Sequence, residues 1–339
     1  MTQSLGPVML DIAGTSLDAE DRKVLADPAL GGVILFARNV EEPAQVLALC
    51  EQIRRERADI LLAIDQEGGR VQRLQTGVTR LPPMAVFGAM HATAPQEAII
   101  LAQDTGWLLG MEMAACGLDF SFAPVLDVDD ERCPAIGNRA FSSEPDVVAS
   151  LAGAFVEGLQ EAGMSAVGKH YPGHGSVTLD SHIALPEDDR PFEEIRNRDL
   201  IPFERLASRL GAIMPAHVRY SRFDKRPAGF SSSWLGLLRE TFKFKGAIIS
   251  DDLSMHGAHI AGGPGERARA AIDAGCDMVL MCNDREAACE ALEALEFDHE
   301  RARRLSRLRY TRARPSLEAL EALTRWRRTH ARLQALGDS

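Results

Sequence analysis

The feature that most constrains the fold is a regular alternation between short apolar runs and longer amphipathic segments. The apolar runs are rich in Val, Ile, Leu and Ala without strict polar alternation, as expected for parallel strands covered on both faces. Gly163, Gly211 and Gly275 each stand just before such a run, where the C-cap of a helix is expected. Eight runs are present, at residues 7–12, 32–36, 60–64, 120–125, 166–169, 212–215, 247–250 and 278–281.

Eight strand–helix units in a chain of 339 residues predict a (β/α)8 TIM-type barrel of the α/β class. We expect a single catalytic barrel domain over residues 1–339, with extra C-terminal helices from about residue 300 packed on the barrel. An open doubly wound sheet is the alternative. No Gly-x-Gly-x-x-Gly motif opens the first helix, which disfavours the dinucleotide-binding version of that sheet.

Composition and charge limit the possible partners. The net charge of −11 disfavours a nucleic-acid or anionic-membrane surface, because such a chain repels phosphate. Residues 301–314 are rich in arginine, but leucines recur among them at helical spacing, so we interpret them as solvated faces of C-terminal helices. A nucleic-acid patch is the alternative there. We expect a monomer with no nucleic-acid partner and no membrane partner.

The remaining global features indicate a cytoplasmic protein. The six cysteines form no Cys-x-x-Cys pair, which is typical of buried thiols in a reducing compartment. The first eleven residues have no basic segment followed by an apolar run, so no signal peptide is indicated. No run of eighteen apolar residues predicts a membrane span.

Polar side chains collect directly after five of the predicted strands. In a barrel the carboxyl ends of the strands share one rim, and that rim carries the active site. Charges placed there are costly unless they pair with each other or face a wet cavity, so their accumulation predicts a functional site. They are Asp65, Glu67, Arg70 and Arg73; Asp127, Asp129, Asp130 and Arg139; Lys169, His170, His174, Asp180 and His182; His217; and Asp251 and Asp252.

Three of these residues suit acid–base and nucleophilic chemistry. Asp251 follows an apolar run and, as an ionised carboxylate, can attack an anomeric carbon or stabilise an oxocarbenium ion. Asp180 and His182 are two residues apart, so in an extended segment the carboxylate can orient the imidazole and raise its pKa. The structural alternatives are a helix cap or ion-pair partner for Asp251 and an ordinary loop for the pair. His174 can simply brace that loop.

Other residues at the rim suit a binding pocket. The group formed by Asp65, Arg73, Arg139, Lys169 and His170 can hold several hydroxyls at once, because carboxylates accept hydrogen bonds while Arg and Lys donate them. We expect a structural role for Asp252. His217 and Met255 are expected only in the wall of the pocket.

Four segments resemble family-3 glycoside hydrolases, and specifically the bacterial β-N-acetylhexosaminidases of cell-wall recycling. Residues 63–73 read Ala-Ile-Asp-Gln-Glu-Gly-Gly-Arg-Val-Gln-Arg, and residues 250–255 read Ser-Asp-Asp-Leu-Ser-Met. The segment 169–182 begins Lys-His-Tyr-Pro-Gly-His-Gly and ends Asp-Ser-His. Residues 137–141, Gly-Asn-Arg-Ala-Phe, are a weaker match. All four follow the order of the family.

The resemblance implies a barrel that hydrolyses with retention through a covalent glycosyl-enzyme, with no metal and no organic cofactor. It implies Asp251 as the nucleophile, His182 as the acid/base and Asp180 as the group that orients His182. The sugar-binding positions that it implies are Asp65, Arg73, Arg139, Lys169 and His170. The implied substrate is a terminal β-1,4-linked N-acetylglucosamine on 1,6-anhydro-N-acetylmuramic acid or its peptides, in the cytosol.

Two departures accompany the resemblance. Many family members carry a second α/β domain that supplies their acid/base carboxylate, whereas this sequence continues from the barrel only into helices, which favours the acetylhexosaminidase branch. Tyr171 and Ser176 stand where Phe and Asp are common, beside the matched positions. Two other functions stay open: a metal-dependent barrel hydrolase with zinc on His170, His174, His182 and Asp251, and a non-catalytic sugar-binding protein.

Overall fold

The computed structural model describes residues 5–179, 181 and 185–337. Within these ranges, one sheet of eight parallel strands corresponds to the eight predicted runs. Every residue of the first three strands is buried, as expected for strands covered on both faces. The strands are β1 (Val8–Leu10), β2 (Leu30–Leu35), β3 (Leu61–Ile64), β4 (Phe120–Ser121), β5 (Val167–Tyr171), β6 (Ala212–Pro215), β7 (Ala247–Asp252) and β8 (Met278–Leu280).

The sheet closes into a barrel. Its spatial order is β4-β3-β2-β1-β8-β7-β6-β5, so strands that are neighbours in the chain are neighbours in the sheet. The two ends of this order also meet, because Leu126 N–H donates to Lys169 O at 2.6 Å and Val167 N–H donates to Ala123 O at 2.8 Å. The predicted (β/α)8 barrel is therefore confirmed, and the open doubly wound sheet is excluded.

Thirteen α-helices lie in the described part of the chain, most of them between consecutive strands. Pro43, Pro95, Pro145 and Pro264 each stand in the first turn of a helix, where N–H groups have no helical partner to lose. The helices are α1 (Ala19–Leu25), α2 (Pro43–Glu56), α3 (Ala85–Thr93), α4 (Pro95–Ala115), α5 (Pro145–Ala162), α6 (Phe192–Arg196), α7 (Leu200–Leu206), α8 (Ser232–Gly236), α9 (Pro264–Ala274), α10 (Arg285–Ala294), α11 (His299–Leu305), α12 (Leu317–Glu321) and α13 (Thr324–Gly337).

Helices α4 and α5 pack against each other through two glycines. A Cβ atom on Gly106 would lie 2.1 Å from Phe155 O, and one on Gly158 would lie 1.9 Å from Gln103 O. Any side chain at either position would therefore push the helices apart. Since these helices flank β4 and β5, their close contact fixes the part of the barrel from which several site residues project.

The extra C-terminal helices pack on the barrel, as predicted. Trp326 in α13 donates from Nε1 to Glu112 in α4 at 2.9 Å. The interpretation of the arginines between 301 and 314 as solvated faces is wrong for Arg304 and Arg314. Their guanidinium groups pair with the fully buried carboxylates of Asp277 and Asp119, both at 2.8–2.9 Å. They therefore anchor the C-terminal segment to the amino-terminal end of the barrel.

The cysteines are free thiols, as predicted. Five are buried and Cys289 is half-buried. Across the described ranges, none of the helices combines the length with the apolar character that a membrane crossing requires.

Candidate active site

A cavity of about 630 Å³ opens at the carboxyl-terminal rim of the barrel, where the sequence predicts the site. Its wall is formed by β2, the ends of β6, β7 and β8, and the loops that follow β3, β4 and β5. Acidic, basic and apolar side chains alternate around it. They include Asp65, Glu67, Arg70, Arg73, Arg139, Lys169, His170, His174, Ser181, Asp251, Asp252, Met255 and Cys282.

Asp65 stands directly after β3 and is held between two cations. Lys169 Nζ lies 3.0 Å from its Oδ1, and Arg73 Nη2 lies 3.1 Å from its Oδ2. Burial alone would raise the pKa of the Asp65 carboxyl, but the charges of Lys169 and Arg73 outweigh it and lower that pKa. Asp65 is therefore an anion whose oxygens can accept hydrogen bonds from a ligand.

Glu67 is a second anion in the same network, and sequence reasoning did not select it. Arg139 binds both of its oxygens at 2.8 Å in a bidentate pair, and Lys169 Nζ lies 2.5 Å from Oε1. Burial is again outweighed by these cations, which hold the pKa of Glu67 far below its usual value. The sequence feature that could have indicated Glu67 is its position two residues after Asp65. In the structure this segment forms a short antiparallel ribbon between Gln66–Gly68 and Val71–Gln72.

Lys169 connects the two carboxylates. It lies in β5, its side chain is 3% exposed, and burial by itself would lower its pKa. The opposite charges of Asp65 and Glu67 raise that pKa instead, so the ammonium stays protonated. Asp65, Arg73, Arg139 and Lys169, four of the five predicted binding residues, thus form one hydrogen-bonded network.

The fifth, His170, is oriented by a carboxylate that sequence reasoning placed at the rim without a role. Asp127 Oδ2 lies 2.7 Å from His170 Nδ1, and Oδ1 accepts from the N–H groups of His170 at 3.2 Å and His174 at 2.7 Å. Burial of Asp127 is outweighed by His170 and these hydrogen bonds, which lower the pKa of the carboxyl. Because His170 Nδ1 is engaged, its Nε2 is the ring nitrogen left to face the cavity.

Asp251 lies near the end of β7, and its half-buried side chain is in the cavity wall. Its Oδ1 accepts from the N–H of Asp252 at 2.8 Å. Strands β3 and β7 are four positions apart in an eight-stranded barrel, so Asp251 and the Asp65 network approach the cavity from opposite sides. The structure therefore brings the predicted nucleophile and the predicted binding residues to one cavity.

Asp252 is committed to a turn, consistent with the structural role expected for it. Oδ1 accepts from Ser254 N–H at 3.0 Å and Cys282 N–H at 3.1 Å, and Oδ2 accepts from the Ser254 hydroxyl at 2.7 Å. Burial raises the pKa of its carboxyl to about 6. His217 is buried beneath this turn, where Nε2 lies 3.1 Å from Asp252 O.

The predicted acid/base pair, Asp180 and His182, lies outside the described residues. Ser181 stands between them in the sequence and lines the cavity. Over the described ranges, no group of three or more His, Cys, Asp or Glu side chains is arranged to hold a metal ion.

As a whole, the cavity combines hydrogen-bond donors, acceptors and one carboxylate on the opposite wall. Arg and Lys can donate to hydroxyls, Asp and Glu can accept from them, and Met255 and Ile34 give the wall apolar surface against which a ring can pack. This arrangement suits a polyhydroxylated ligand whose reactive carbon is presented to Asp251.

The sequence and fold also match known proteins. The family described as "Glycosyl hydrolase family 3 N terminal domain" matches residues 7–308. A Beta-hexosaminidase of Pseudomonas aeruginosa is 56% identical over 292 residues, which cover 86% of each chain. A Beta-hexosaminidase of Methylococcus capsulatus is 49% identical over 336 residues, which cover 98% of this chain and 99% of the relative.

Among solved structures, NagZ from Neisseria gonorrhoeae superposes with a TM-score of 0.93 at 41% identity, covering 98% of both chains. The same protein in complex with N-trifluoroacetyl-D-glucosamine gives a TM-score of 0.94 at 42% identity, covering 99% of both. The family match and these similarities extend over most of the sequence. The chain therefore belongs to glycoside hydrolase family 3, and it is a glycoside hydrolase whose relatives over nearly its whole length are β-hexosaminidases.

Proposed function

We propose that this protein is a retaining β-N-acetylhexosaminidase that removes a terminal, non-reducing β-linked N-acetylglucosamine through a covalent glycosyl-enzyme. The observation that carries the proposal is the position of Asp251 across the cavity from the Asp65–Glu67–Lys169 network. A sugar bound by that network presents its anomeric carbon to the opposite wall. An ionised carboxylate there is the nucleophile that retention requires.

Sugar recognition is assigned to the network. Asp65 accepts from one or two hydroxyls, while Arg73, Arg139 and Lys169 donate to hydroxyl or amide oxygens, and His170 adds Nε2. The complex of the Neisseria gonorrhoeae relative with N-trifluoroacetyl-D-glucosamine supports an N-acylated glucosamine as the sugar. Charged groups stabilise the transition state most when they are already in position before the sugar binds. The buried ion pairs hold these side chains in position.

The acid/base is assigned to His182, oriented by Asp180, as the family resemblance implies, and the state of three described carboxylates is compatible with this assignment. Asp65 and Glu67 are ionised and ion-paired, so they have no proton to donate. Asp252 has a raised pKa, but its oxygens are occupied by Ser254 and Cys282. None of these three can serve as the acid of a retaining glycosidase. A histidine also adds no second negative charge beside the nucleophile.

The reaction then has two steps. Asp251 attacks the anomeric carbon as the glycosidic bond breaks, and protonated His182 gives its proton to the leaving oxygen. Neutral His182 next takes a proton from water as that water attacks the same carbon, which releases Asp251 and restores the imidazolium. Proton and charge balance over the cycle, and no metal or organic cofactor is required.

The cellular substrate proposed is N-acetylglucosamine linked to 1,6-anhydro-N-acetylmuramic acid and its peptides. In this role the protein is a cytoplasmic, monomeric enzyme of cell-wall recycling, with one catalytic domain over residues 1–339. The support is the similarity to β-hexosaminidases and NagZ over nearly the whole chain, together with a cavity that is larger than one sugar.

Trapping of the intermediate tests the nucleophile. A 5-fluoro glycosyl fluoride of N-acetylglucosamine slows both steps, because the fluorine opposes oxocarbenium character. We expect peptide mass spectrometry to find one sugar on Asp251, and none in Asp251→Asn, whose turnover should fall by about 10³-fold or more. A sugar on any other residue would overturn the mechanism.

Variants of the acid/base test the second assignment. With a poor leaving group, His182→Ala should slow glycosylation and deglycosylation by about 10²–10⁴-fold, the usual contribution of general acid–base catalysis. With an activated aryl leaving group, only deglycosylation should remain slow, so a burst of the released phenol is expected. Full activity of this variant on the poor leaving group would refute the assignment.

Two other functions remain to be tested against this one. A structure of NagZ from Neisseria gonorrhoeae contains a zinc ion, so the dependence on metal is measured directly. Loss of activity with a chelator and recovery with Zn²⁺ would support a metal-dependent hydrolase, and chelator-insensitive turnover supports the proposal. A non-catalytic sugar-binding protein would keep its whole function in Asp251→Asn.

A further inference from the structure

A line of side-chain contacts joins the loops after β4, β5 and β7 beside the cavity. Cys133 Sγ lies 3.4 Å from His174 Nδ1, and His174 Nε2 lies 3.1 Å from Ser181 Oγ. The carbonyl oxygen of Ser181 accepts from the N–H of Gly257 at 3.0 Å. We call these four residues the loop clamp. They belong to three separate loops, so the clamp holds parts of the rim that no strand pairing connects.

The root of the clamp is rigid. His174 N–H donates to Asp127 Oδ1 at 2.7 Å, and its neighbour Gly173 accepts at its carbonyl from the Tyr220 hydroxyl at 2.7 Å. A Cβ atom on Gly175 would lie 2.0 Å from Val128 O, so the main chain on the other side of His174 is pressed against the β4 loop. The imidazole therefore projects from a fixed point.

His174 is not placed to give a proton to the substrate, because both of its ring nitrogens are engaged within the loop clamp. Its side chain lies in the cavity wall but the residue is only 3% exposed, and each ring nitrogen already faces a partner. Burial and the nearby His170 lower the pKa of His174, against the opposing effect of Asp127 and Asp251. A neutral imidazole has one donor and one acceptor, which a thiol and a hydroxyl can both match.

Ser181 is the residue between Asp180 and His182 in the sequence. We infer that His174 is a positioning residue: by holding Ser181 through the clamp, it places the acid/base segment for both proton transfers. The inference rests on the proposed role of His182. In this inference His174 contributes to the reaction without contacting the sugar.

The inference makes a specific kinetic prediction. Displacement of a catalytic group by about 1 Å costs up to about 10²-fold in rate, so His174→Ala should lower kcat by about 10²-fold on a substrate with a poor leaving group. KM should change by less than about threefold, because the sugar-binding network is intact. The glycosylation rate on an activated aryl leaving group should be nearly unchanged, because that leaving group needs no proton.

A double-mutant cycle tests whether His174 acts through Ser181. Ser181→Ala should reproduce the same pattern with about a tenfold loss, since it removes one hydroxyl and leaves the carbonyl contact to Gly257. If the clamp operates as inferred, the double variant should be no slower than His174→Ala alone. Multiplication of the two losses would contradict the inference.

Controls separate positioning from stability and from the proposed function. His299→Ala, at an exposed histidine of α11, should behave as wild type. Labelling with the 5-fluoro probe gives the concentration of folded active sites. The rate of each variant is then expressed per labelled site, so that partial unfolding does not lower it. His174→Gln, which can still reach Ser181, should recover at least tenfold of the lost rate.

The outcomes distinguish the two claims. If His182→Ala is slow and His174→Ala is as fast as wild type per competent site, the proposed function stands and this inference falls. If His174→Ala loses activity equally on both leaving groups, the residue is merely structural and the inference also falls. If His182→Ala is fully active, the proposed function itself fails.

Discussion

Each end of the barrel contains carboxylates that are held between two cationic side chains. At the carboxyl-terminal rim, Glu67 lies between Arg139 and Lys169. At the amino-terminal end, Asp277 lies between Arg239 at 2.7 Å and Arg304 at 2.8 Å, and Asp119 is placed in the same way between Arg54 and Arg314. Each of these carboxylates has two cationic partners, so the number of cations around a carboxylate does not distinguish the two ends.

The difference lies in what the rest of each carboxylate faces. Asp277 Oδ2 accepts from Ile248 N–H at 2.8 Å, and Asp119 Oδ2 accepts from Leu62 N–H at 2.9 Å. The carboxylates of these clusters therefore bind main-chain N–H groups near the starts of β7 and β3, and they have a structural role there. The rim network instead faces a cavity of about 630 Å³. A paired buried charge marks a functional site only where a ligand can replace water beside it.

Among the changes that separate the two ends of the barrel, removal of Lys169 should produce the largest effect on activity. In Lys169→Met, Asp65 keeps its ion pair with Arg73 and Glu67 keeps its ion pair with Arg139. We therefore expect only a modest fall in the free energy of unfolding. The cavity, however, loses a donor and gains negative charge across from Asp251. A loss of about 4 kcal/mol of transition-state stabilisation corresponds to about 10³-fold in kcat/KM, measured with an aryl N-acetylglucosaminide. Activity within tenfold of wild type would contradict the assignment, and Lys225→Met, at an exposed lysine, is the control.

Neutralisation of Asp277 should produce the opposite pattern. Asp277→Asn keeps an oxygen for Ile248 N–H, but it leaves Arg239 without its counter-charge and Arg304 with only Glu300, at 3.5 Å. We expect the free energy of unfolding to fall by about 3 kcal/mol, with kcat/KM per folded molecule within twofold of wild type. Denaturant unfolding and active-site labelling measure the two quantities. Asp273→Asn, at an exposed carboxylate, should change neither, and a matching loss of activity would show that the two ends are not independent.

The architecture could be predicted because burial on both faces leaves a strong pattern in the sequence. Each of the eight apolar runs overlaps a strand, and the rim positions follow from the strand ends. The predicted run at 120–125 was too long as a strand, since only Phe120–Ser121 has regular ladder pairing. Pro124 has no N–H, yet residues 123–126 still bond to β5 and close the barrel.

The partners within the site could not be predicted, because they come from distant parts of the chain. Lys169 reaches Asp65 across 104 positions and Arg314 reaches Asp119 across 195. Residue type and strand position therefore identified Asp65 and Lys169, but nothing local identified Glu67 as their partner. For the same reason Arg304 and Arg314 of the C-terminal segment were misinterpreted as solvated. The roles of Asp180 and His182 stay predictions.

Glu112 provides a third case, a buried carboxyl without a paired cation. It accepts from Thr79 N–H at 3.0 Å, from the Thr79 hydroxyl at 2.6 Å and from Trp326 Nε1 at 2.9 Å, while His330 Nδ1 lies 2.8 Å from that hydroxyl. Burial outweighs these hydrogen bonds, Glu321 adds repulsion, and the pKa of Glu112 rises to about 7. Where Asp65 and Glu67 are anions, Glu112 is protonated below neutrality.

The smallest expected effect is a pH dependence of stability that Glu112→Gln should remove. The pKa of Glu112 is higher in the folded chain, about 7 against an ordinary 4.5, so the folded state binds the proton more tightly. This contribution is complete below about pH 4.5 and is lost as the pH rises through 7, and the pKa difference limits it to at most about 3 kcal/mol. Gln stays neutral at every pH, so the variant does not lose this contribution. The difference in melting temperature between the variant and wild type should therefore shift in favour of the variant as the pH rises from 5 to 8. The control is Glu321→Gln, at an exposed position, which should show a much weaker dependence on pH. If the difference in stability between Glu112→Gln and wild type does not vary with pH, Glu112 is ionised like the carboxylates of the rim.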